Sequence, residues 1–376
     1  MIPPHLLEIA PLVLALLCSF GITFFAIPSV IEVAHKKRLF DLPDERKQHA
    51  QAIPRLGGVG MYVGMMVSLC FFVSREGFGS VSYLLAAYMI LFFVALKDDL
   101  ITVSTPVKLL FQILVAGILI FNGLRITSLH YLLGIGELSM PVSVLLTLVL
   151  IVGIVNAFNL IDGVDGLAGG LGGINSLTLG ALLFVYGDRD FAIVAFILGG
   201  CLLAFLRYNF AQYPNKIFMG DSGSLLVGLT LAILAVRFIE TPPPPSIHVA
   251  FASPVLVVLG IMIIPIFDVL RVMLIRISQR RSPFSPDRNH IHHALLRSGF
   301  SHRGTSLLLY AVNLLFVCMV VVFRDTHYLG LSMGLLAVAA FSTQAVVLFR
   351  YFRQEKQISQ LEIQLGSLQK ENRFLI

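Results

Sequence analysis

The sequence predicts an all-α, polytopic membrane protein, a helix bundle with about 11 transmembrane helices. Hydrophobic residues make up 57% of the chain and charged residues only 13%, whereas a soluble domain is typically about 25% charged. Apolar stretches close to the ~20 residues that a spanning helix needs recur along the chain. Since each span satisfies its own backbone, one integral membrane domain is expected over residues 1–350. A cytoplasmic helical tail is expected over residues 351–376.

Eleven stretches are predicted as spans. The first lacks a preceding basic stretch and a following small-residue cleavage site, so we expect a retained span and not a signal peptide. The third and fifth are short. The sixth begins with glycines, at 169, 170, 172 and 173, which allow close helix packing. In chain order, the spans are 8–30, 56–74, 80–96, 106–122, 142–158, 167–186, 191–207, 223–239, 251–270, 305–323 and 329–349.

The positive charges predict the orientation of the bundle. Lys and Arg concentrate in one set of connections, which cytoplasmic loops typically do. The N-terminus is therefore expected outside and the C-terminus in the cytoplasm, which requires an odd number of spans. The net charge of +6 is explained mostly by this topology and by attraction to anionic lipid or phosphate groups, so it does not indicate nucleic acid binding. Of the 27 Lys and Arg residues, 22 lie in segments 31–55, 97–108, 207–221, 271–303 and 350–376.

Six aspartates are expected at the cytoplasmic ends of the helices. Carboxylates in or beside spans are costly in lipid and frequently mark functional sites. The alternative is that they cap helix ends or lie in solvent. Asp268 is left without a role beyond pairing with Arg271, one turn further on, to position the loop that follows. The six are Asp98, Asp99, Asp162, Asp165, Asp221 and Asp268.

Two of these aspartates lie in NAFNLIDGVDGLAGG (156–170), which also contains Asn156 and Asn159. Its closely spaced glycines suit a loop whose backbone approaches a ligand. A second segment, FMGDSGS (218–224), puts Asp221 just before an apolar helix. That position suits a helix cap or a metal-bound phosphate at the positive helix end.

The residue types favour magnesium as the cofactor. Mg²⁺ prefers carboxylate oxygens, keeps several waters and is usually shared with substrate phosphates. The four cysteines lie singly in apolar runs, without zinc-site or redox spacing. Phosphoryl chemistry with Mg²⁺ is therefore expected, with Mn²⁺ as the alternative ion.

Histidines and basic residues cluster in three places. Segment 279–303 contains Arg288, His290, His292 and His293, which are expected to contact an anion, although an ordinary basic loop or a metal site is also compatible with them. Lys108 opens the fourth span and would reach the aspartates, or would extend to the interface as an ordinary lysine. Segment 35–58 would contribute His49 and Arg55, or would be a solvated loop.

The tail carries a heptad pattern, which predicts either a short coiled coil and a homodimer through residues 358–375 or a single amphipathic helix on the membrane. A polar Asn at a core position can fix the register of a coiled coil. The pattern is formed by Ile358, Leu361, Leu365, Leu368, Asn372 and Leu375.

Four motifs together resemble the polyprenyl-phosphate N-acetylhexosamine-1-phosphate transferase superfamily. The resemblance covers roughly residues 30–300, with the motifs in the family's order. The histidine motif is most similar to that of the bacterial undecaprenyl-phosphate N-acetylglucosamine-1-phosphate transferases (the WecA and TagO types). The motifs are LKDDL, NAFNLIDGVDGLAGG, KIFMGDSGSLLVG and SPFSPDRNHIHHALLRSGF.

The resemblance implies a role for each motif. Asp98 and Asp99 would lie beside the reacting phosphates, Lys108 would contact phosphate, and Asp221, with Asp99, would bind Mg²⁺. The motif containing Asn156 would border the nucleotide. The histidine motif, with Arg288, would hold the diphosphate or the sugar. The residues that the resemblance places around the nucleotide are Asn159, Asp162 and Asp165, with Phe218 stacked on uracil.

The implied reaction transfers N-acetylglucosamine-1-phosphate from UDP-N-acetylglucosamine to undecaprenyl phosphate and releases UMP, as the first membrane step of cell-surface polysaccharide synthesis. The active site would face the cytoplasm from the inner membrane, among membrane lipids. Direct displacement is expected, with Asp98 or Asp99 orienting the lipid phosphate, and displacement through a phosphorylated aspartate is the alternative. Another UDP-N-acetylhexosamine donor, a secondary transporter and a scaffold for a glycan pathway are the competing hypotheses.

Overall fold

The computed structural model shows an all-α membrane protein with one small β-hairpin. It describes residues 4–39, 53–73, 75–245, 251–282, 289–323, 330, 333–334, 337, 353 and 355–364. Residues 355–364, in the predicted tail, are helical. The rest of the predicted coiled coil lies outside the described residues, so the proposed homodimer stays a prediction.

The elements between Pro4 and Val322 follow the predicted spans closely. Each of the first eight predicted spans, and the tenth, overlaps one helix. The elements are α1 (Pro4–Lys37), α2 (Gly57–Phe72), α3 (Arg75–Leu100), α4 (Thr105–Phe121), β1 (Ser128–Leu132), β2 (Ile135–Glu137), α5 (Met140–Ile161), α6 (Leu167–Val185), α7 (Arg189–Asn209), α8 (Gly220–Glu240), α9 (Pro254–Ile261), α10 (Ile263–Ser278), α11 (Ile291–Arg297) and α12 (His302–Val322).

The number of spans is only partly supported. Within the described residues, six helices are long and apolar enough to cross a membrane, namely α1, α5, α6, α7, α8 and α12, and α9 with α10 would make a seventh. Helices α2 and α4 are apolar but shorter. The predicted count of eleven is therefore not confirmed, and the predicted span 329–349 lies almost entirely outside the described residues.

Helix α8 is the centre of the bundle. It contacts α2, α3, α5, α6, α7 and α9, and 94% of its apolar stretch is buried, compared with 22% for α1. Close packing needs small residues here, because a Cβ on Gly228 would lie 2.7 Å from the Val155 Cα on α5. The N-terminal end of α8, which carries Asp221, is thereby held among the ends of several neighbouring helices.

The ninth predicted span is not one straight helix. Helices α9 and α10 meet at Met262 and are bent by 81° relative to each other. Pro265 gives the physical reason, because it has no N–H to donate to the carbonyl of Ile261, four residues earlier, and its ring clashes with that carbonyl in a continuous helix. The span predicted over 251–270 therefore consists of two helices at an angle, and its crossing of the membrane as one span stays a prediction.

The hairpin of β1 and β2 was not predicted. Its two-residue turn, Leu133–Gly134, has positive φ angles of 54° and 77°, as a type I′ hairpin turn requires. The hairpin is attached to the C-terminal end of α8, where Glu240 accepts from Thr127 N at 2.7 Å and His130 Nε2 lies 2.9 Å from the Ile239 carbonyl. It therefore lies at the opposite end of α8 from Asp221.

Candidate active site

Lys108 joins two of the predicted aspartates. Its Nζ lies 2.9 Å from Asp98 Oδ2 and 2.9 Å from Asp221 Oδ2. Lys108 comes from the first turn of α4, Asp98 from the last turn of α3 and Asp221 from the first turn of α8. The other oxygen of Asp98 accepts from Val103 N at 2.6 Å, which fixes the turn between α3 and α4. A cation shared between two carboxylates offsets their mutual repulsion.

Asp99 caps the N-terminus of α8. Its Oδ1 accepts from Asp221 N at 2.7 Å, and its Oδ2 accepts from Ser222 N at 2.9 Å. These N–H groups have no partner inside the helix, and the helix dipole favours a negative charge at this point. Capping is usually local in sequence, whereas this cap comes from a residue 122 positions away. The contact therefore also fixes α3 against α8.

An extended segment before α2 pairs with the segment before α8. Phe218 N donates to the Pro54 carbonyl at 2.9 Å, and Gly57 N donates to the Phe218 carbonyl at 3.0 Å. Gly220, between Phe218 and Asp221, has φ +74°, and a Cβ there would collide with the Arg55 carbonyl. Only glycine suits both the conformation and the space. Arg55 and Phe218 are thus held beside Asp98, Lys108 and Asp221, which form the Asp–Lys–Asp cluster. His49 lies outside the described residues.

The loop between α5 and α6 brings two more predicted aspartates to this end of the bundle. Burial raises the pKa of the Asp162 carboxyl to about 7, and the charges of Asp221 and Asp99 raise this pKa further, while Arg55 opposes them. Asp162 is therefore close enough to interact electrostatically with the cluster. Near neutral pH, a substantial fraction of this carboxyl carries a proton.

Asp165 is paired with a lysine that the sequence analysis did not single out. Lys216 Nζ lies 2.5 Å from Asp165 Oδ2 and 5.5 Å from the centre of the Phe218 ring. His302 Nδ1, at the start of α12, lies 3.8 Å from the same carboxylate oxygen. The signal was present in KIFMGD, in which Lys216 stands two residues before Phe218. Lys216 therefore links the Asp165 loop to the aromatic residue predicted to stack on the base.

The two asparagines of α5 differ in their contacts. Asn159 Nδ2 donates to Ser224 Oγ on α8 at 3.0 Å. Asn156, one turn earlier, exchanges hydrogen bonds with Gln112 on α4, at 2.6 and 3.3 Å. Asn159 therefore contacts α8 one turn after Asp221, whereas the amide of Asn156 connects α4 to α5.

The histidine motif lies against the Asp162 loop. A Cβ on Gly163 would lie 2.7 Å from His292 Nε2, so only a glycine leaves room for this ring. Burial, together with the neighbouring His293, lowers the pKa of His292 to about 3, so that its ring is neutral near pH 7. The His292 ring lies 4.2 Å from the His293 ring and 5.8 Å from the His290 ring. Arg288 lies outside the described residues.

Two aspartates of the Asp–Lys–Asp cluster also suit a divalent metal. In the part of the chain that the structure describes, no group of three or more His, Cys, Asp or Glu is arranged to hold one. Mg²⁺ commonly uses only one or two carboxylates, with water and substrate phosphates as the other ligands. Asp98 and Asp221, brought together by Lys108, fit that requirement. Asp99, predicted as a ligand, already accepts an N–H on each oxygen.

Most of the predicted residues therefore meet at one end of the bundle, around the N-terminus of α8. His49 and Arg288 lie outside the described residues, and Asn156 lies one turn deeper than Asn159. Lys216 and Ser224 join the site without having been predicted. The predicted residues at this end are Arg55, Asp98, Asp99, Lys108, Asn159, Asp162, Asp165, Phe218, Asp221, His290, His292 and His293.

Comparison with known proteins gives a consistent result. The family model described as glycosyl transferase family 4 matches residues 81–239. The undecaprenyl-phosphate alpha-N-acetylglucosaminyl 1-phosphate transferase of Escherichia coli O157:H7 is 33% identical over 79% of this chain and 80% of its own length. The decaprenyl-phosphate N-acetylglucosaminephosphotransferase of Mycobacterium leprae (strain TN) is 34% identical over 77% of this chain and 78% of its own length. The protein of the same name from Mycolicibacterium smegmatis is 34% identical over 88% of this chain and 86% of its own length.

Proposed function

The chain belongs to glycosyl transferase family 4, with the bacterial polyprenyl-phosphate N-acetylglucosamine-1-phosphate transferases, and from this membership we propose its reaction. It transfers N-acetylglucosamine-1-phosphate from UDP-N-acetylglucosamine to undecaprenyl phosphate and releases UMP. This is the first membrane step in the synthesis of a cell-surface polysaccharide. The observation that carries the proposal is the Lys108 bridge between Asp98 and Asp221, which assembles charges suited to phosphates at one end of the bundle.

The reaction does not need a strong general base. The second pKa of a phosphate monoester is near ~6, so the attacking oxygen of the lipid phosphate is already largely ionised at neutral pH. The protein must bring two negatively charged substrates together and stabilise the charge that develops on the transferred phosphate. Lys108 is 21% exposed at its side chain, which leaves it accessible to a phosphate oxygen.

We propose Asp221 and Asp98 as the residues that would hold Mg²⁺, with Mn²⁺ as the alternative ion. When bound, the metal would neutralise charge on the diphosphate. Asp99 would then act mainly by holding the start of α8, and with it Asp221, in place. The sequence-based assignment of Asp99 as a metal ligand stays a prediction.

A single displacement is favoured over a phosphorylated aspartate. Asp98 is bound to Lys108 and to Val103 N, and Asp99 accepts two backbone N–H groups. A carboxylate engaged in this way is a weaker nucleophile than a free one, because each hydrogen bond stabilises its charge. Incubation with the UDP-sugar alone tests this point, since a phosphorylated protein trapped without lipid would contradict direct displacement.

We also propose the orientation that the positive charges predict. The shorter helices α2 and α4, helix α3, the bent pair α9–α10 and segment 329–349 would complete eleven spans. The N-terminus would face out, and the N-terminal end of α8 would face the cytoplasm of a cell whose inner membrane holds the protein. A cysteine introduced near Asp221 and one introduced in the hairpin should therefore label from opposite sides of the membrane.

A transporter would be expected to carry its acids near the middle of interrupted helices. Here, by contrast, the aspartates of the cluster occupy the first or last turn of their helices. The choice of sugar is less constrained, so other UDP-N-acetylhexosamines remain competing donors in the assay.

The proposal is tested with the full-length protein purified in detergent. It should convert UDP-N-acetylglucosamine and undecaprenyl phosphate to UMP and a labelled lipid in the presence of Mg²⁺, and a chelator should abolish the reaction. UDP-N-acetylgalactosamine should be converted more slowly. Absence of UMP formation under all these conditions would contradict the proposal.

A matched pair of variants locates the reaction. Asp221 is the second residue of α8, and Asp190 is the second residue of α7. The start of α7 lies beside the C-terminal end of α8, where Asp188 pairs with Arg237. Asp221→Asn should lose nearly all activity, whereas Asp190→Asn should retain most of it. Equal effects of the two substitutions would show that the first turn of α8 has no special role.

A further inference from the structure

Asp268 on α10 lies outside the Asp–Lys–Asp cluster, and its exposed fraction is only 1%. Its Oδ1 accepts from Arg271 Nη2 at 3.0 Å and from Ile291 N at 2.8 Å. Its Oδ2 lies 2.8 Å from His290 Nδ1. A carboxylate buried to this extent needs such partners. The pair with Arg271 that the sequence suggested is present, and the carboxylate also binds two residues of the histidine motif.

The contact with Asp268 determines which nitrogen of His290 carries hydrogen. A carboxylate oxygen only accepts, so Nδ1 must be the donor. The second nitrogen, Nε2, is buried and has no hydrogen-bond partner among the described residues. His290 itself is 3% exposed. The ring is thus fixed at one nitrogen and has the other available, the arrangement by which a carboxylate orients a functional histidine.

A continuous set of contacts links Asp268 to the candidate active site. The His290 ring stacks on the His292 ring with 9° between their planes. His292 in turn lies against Gly163, in the loop between Asp162 and Asp165. Arg271 also donates to the carbonyl of Asn289, immediately before His290. Asp268 and Arg271 therefore hold residues 289–291 of the histidine motif through contacts to three successive residues.

We propose that Asp268 is a positioning residue of the transferase, which holds His290 so that its Nε2 is directed to a phosphate oxygen of the UDP-sugar. This inference rests on the proposed function. With hydrogen on both nitrogens, the ring would donate from Nδ1 to Asp268 and from Nε2 to the anionic oxygen. The other charged or titratable groups near this pair are Arg271 on α10 and His292 and His293 on α11.

The test is the pH dependence of kcat/KM in the full-length protein. Asp268→Asn keeps the size of the side chain and removes its charge, so protonated His290 loses its anionic partner. The alkaline limb of the profile should move to lower pH by about one unit or more, and KM for the UDP-sugar should rise about tenfold. A purely structural role would lower the melting temperature and leave the profile of the folded protein unchanged.

A double-mutant cycle shows whether Asp268 acts through His290. His290→Gln should remove the same limb of the profile, and adding Asp268→Asn to it should cost little further activity, because contacting residues that act as one unit are not additive. Multiplied losses would overturn the proposal. If Asp268→Asn does not fold, His290→Gln decides alone, since an unchanged profile in that variant would also overturn it.

Asp188 supplies the matched control. Its side chain is 8% exposed and is paired with Arg237 at the other end of the bundle, so Asp188→Asn should cost stability without moving the pH profile. A shift in this control equal to that of Asp268→Asn would contradict the specific role. The wild-type rate is measured first, and an inactive wild type would overturn both the proposed function and this inference.

Discussion

Lys108 balances two carboxylates that come from different helices. The sequence indicated that Lys108 would reach the aspartates, but not that it would bridge Asp98 and Asp221, because that contact spans 113 positions. The capping role of Asp99 was hidden for the same reason. Neighbouring aspartates in LKDDL therefore perform different tasks, one in the charge cluster and one at a helix end. Residue type and motif predicted which side chains lie together at this end of the bundle, whereas their individual contacts depend on long-range packing.

Replacement of Lys108 should remove charge stabilisation from the site. Lys108→Gln is expected to lower kcat/KM by about 100-fold or more, in line with the loss of one preorganised electrostatic contact to a developing charge. Lys97 is an exposed lysine one position before Asp98, and Lys97→Gln should change the rate by less than about threefold. Comparable losses in the two variants would argue against a direct role for Lys108.

Replacement of Asp99 should affect stability as well as rate. In Asp99→Asn, an NH₂ group would face one of the two backbone N–H groups at the start of α8. The expected cost is about 1–2 kcal/mol of stability, accompanied by a lower kcat because Asp221 shifts. The control is Asp188, which caps α7 by accepting from Phe191 N. Asp188→Asn should lower the melting temperature alone, and an unchanged kcat in Asp99→Asn would contradict the positioning role.

Asp162 should make the stability of the ligand-free protein depend on pH. The pKa of its carboxyl is about 7 in the folded protein and about 4 in an unfolded chain. The folded state therefore binds the extra proton between these values, and stability falls as the pH rises from 4 through 7.

Asp162→Asn carries no such proton, so its loss of stability between pH 5 and pH 8 should be smaller than that of the wild type by about 2–3 kcal/mol. Melting temperatures measured across this range in detergent provide the check. Parallel curves for the two proteins would show that Asp162 does not titrate there.

At the scale of elements, hydrophobic length predicted helices well and predicted their shape poorly. The apolar stretches located α1 to α8 and α12, since each is a continuous run near the spanning length. The bend between α9 and α10 was missed although Pro265 marks it, because the run on both sides is apolar. The hairpin was missed because its turn places Leu133, which is not a typical residue for positive φ, at 54°.

The hairpin should contribute to stability but not to catalysis. Glu240, at the last position of α8, accepts from both Thr127 N and Thr127 Oγ1. It lies 19 residues from Asp221, or about 30 Å along the helix. Glu240→Ala should therefore cost about 1–2 kcal/mol while kcat stays near the wild-type value. A large loss of kcat would show that the two ends of α8 are coupled.

At the scale of the whole molecule, a buried central helix carries different chemistry at its two ends. The N-terminal end of α8 holds the Asp–Lys–Asp cluster, and its C-terminal end holds the hairpin. Helices α3 and α5 pack against α8, and α4 packs against both of them. Residues from α3, α4, α5, α8 and α11, and from the connections before α2, α6 and α8, thereby meet at one site. The positive charges predict that the end carrying Asp98, Asp162 and Asp221 faces the cytoplasm, and this orientation stays a prediction.

In the proposed reaction, the protein transfers a sugar together with its phosphate. The most direct measurement uses two preparations of UDP-N-acetylglucosamine, labelled at the α- or the β-phosphorus, with undecaprenyl phosphate as the acceptor. The β label should pass into the lipid fraction, and the α label should stay in water as UMP. Transfer of the sugar to the lipid fraction while the β label stayed in water would contradict this reaction. Absence of both labelled UMP and labelled lipid would also contradict it.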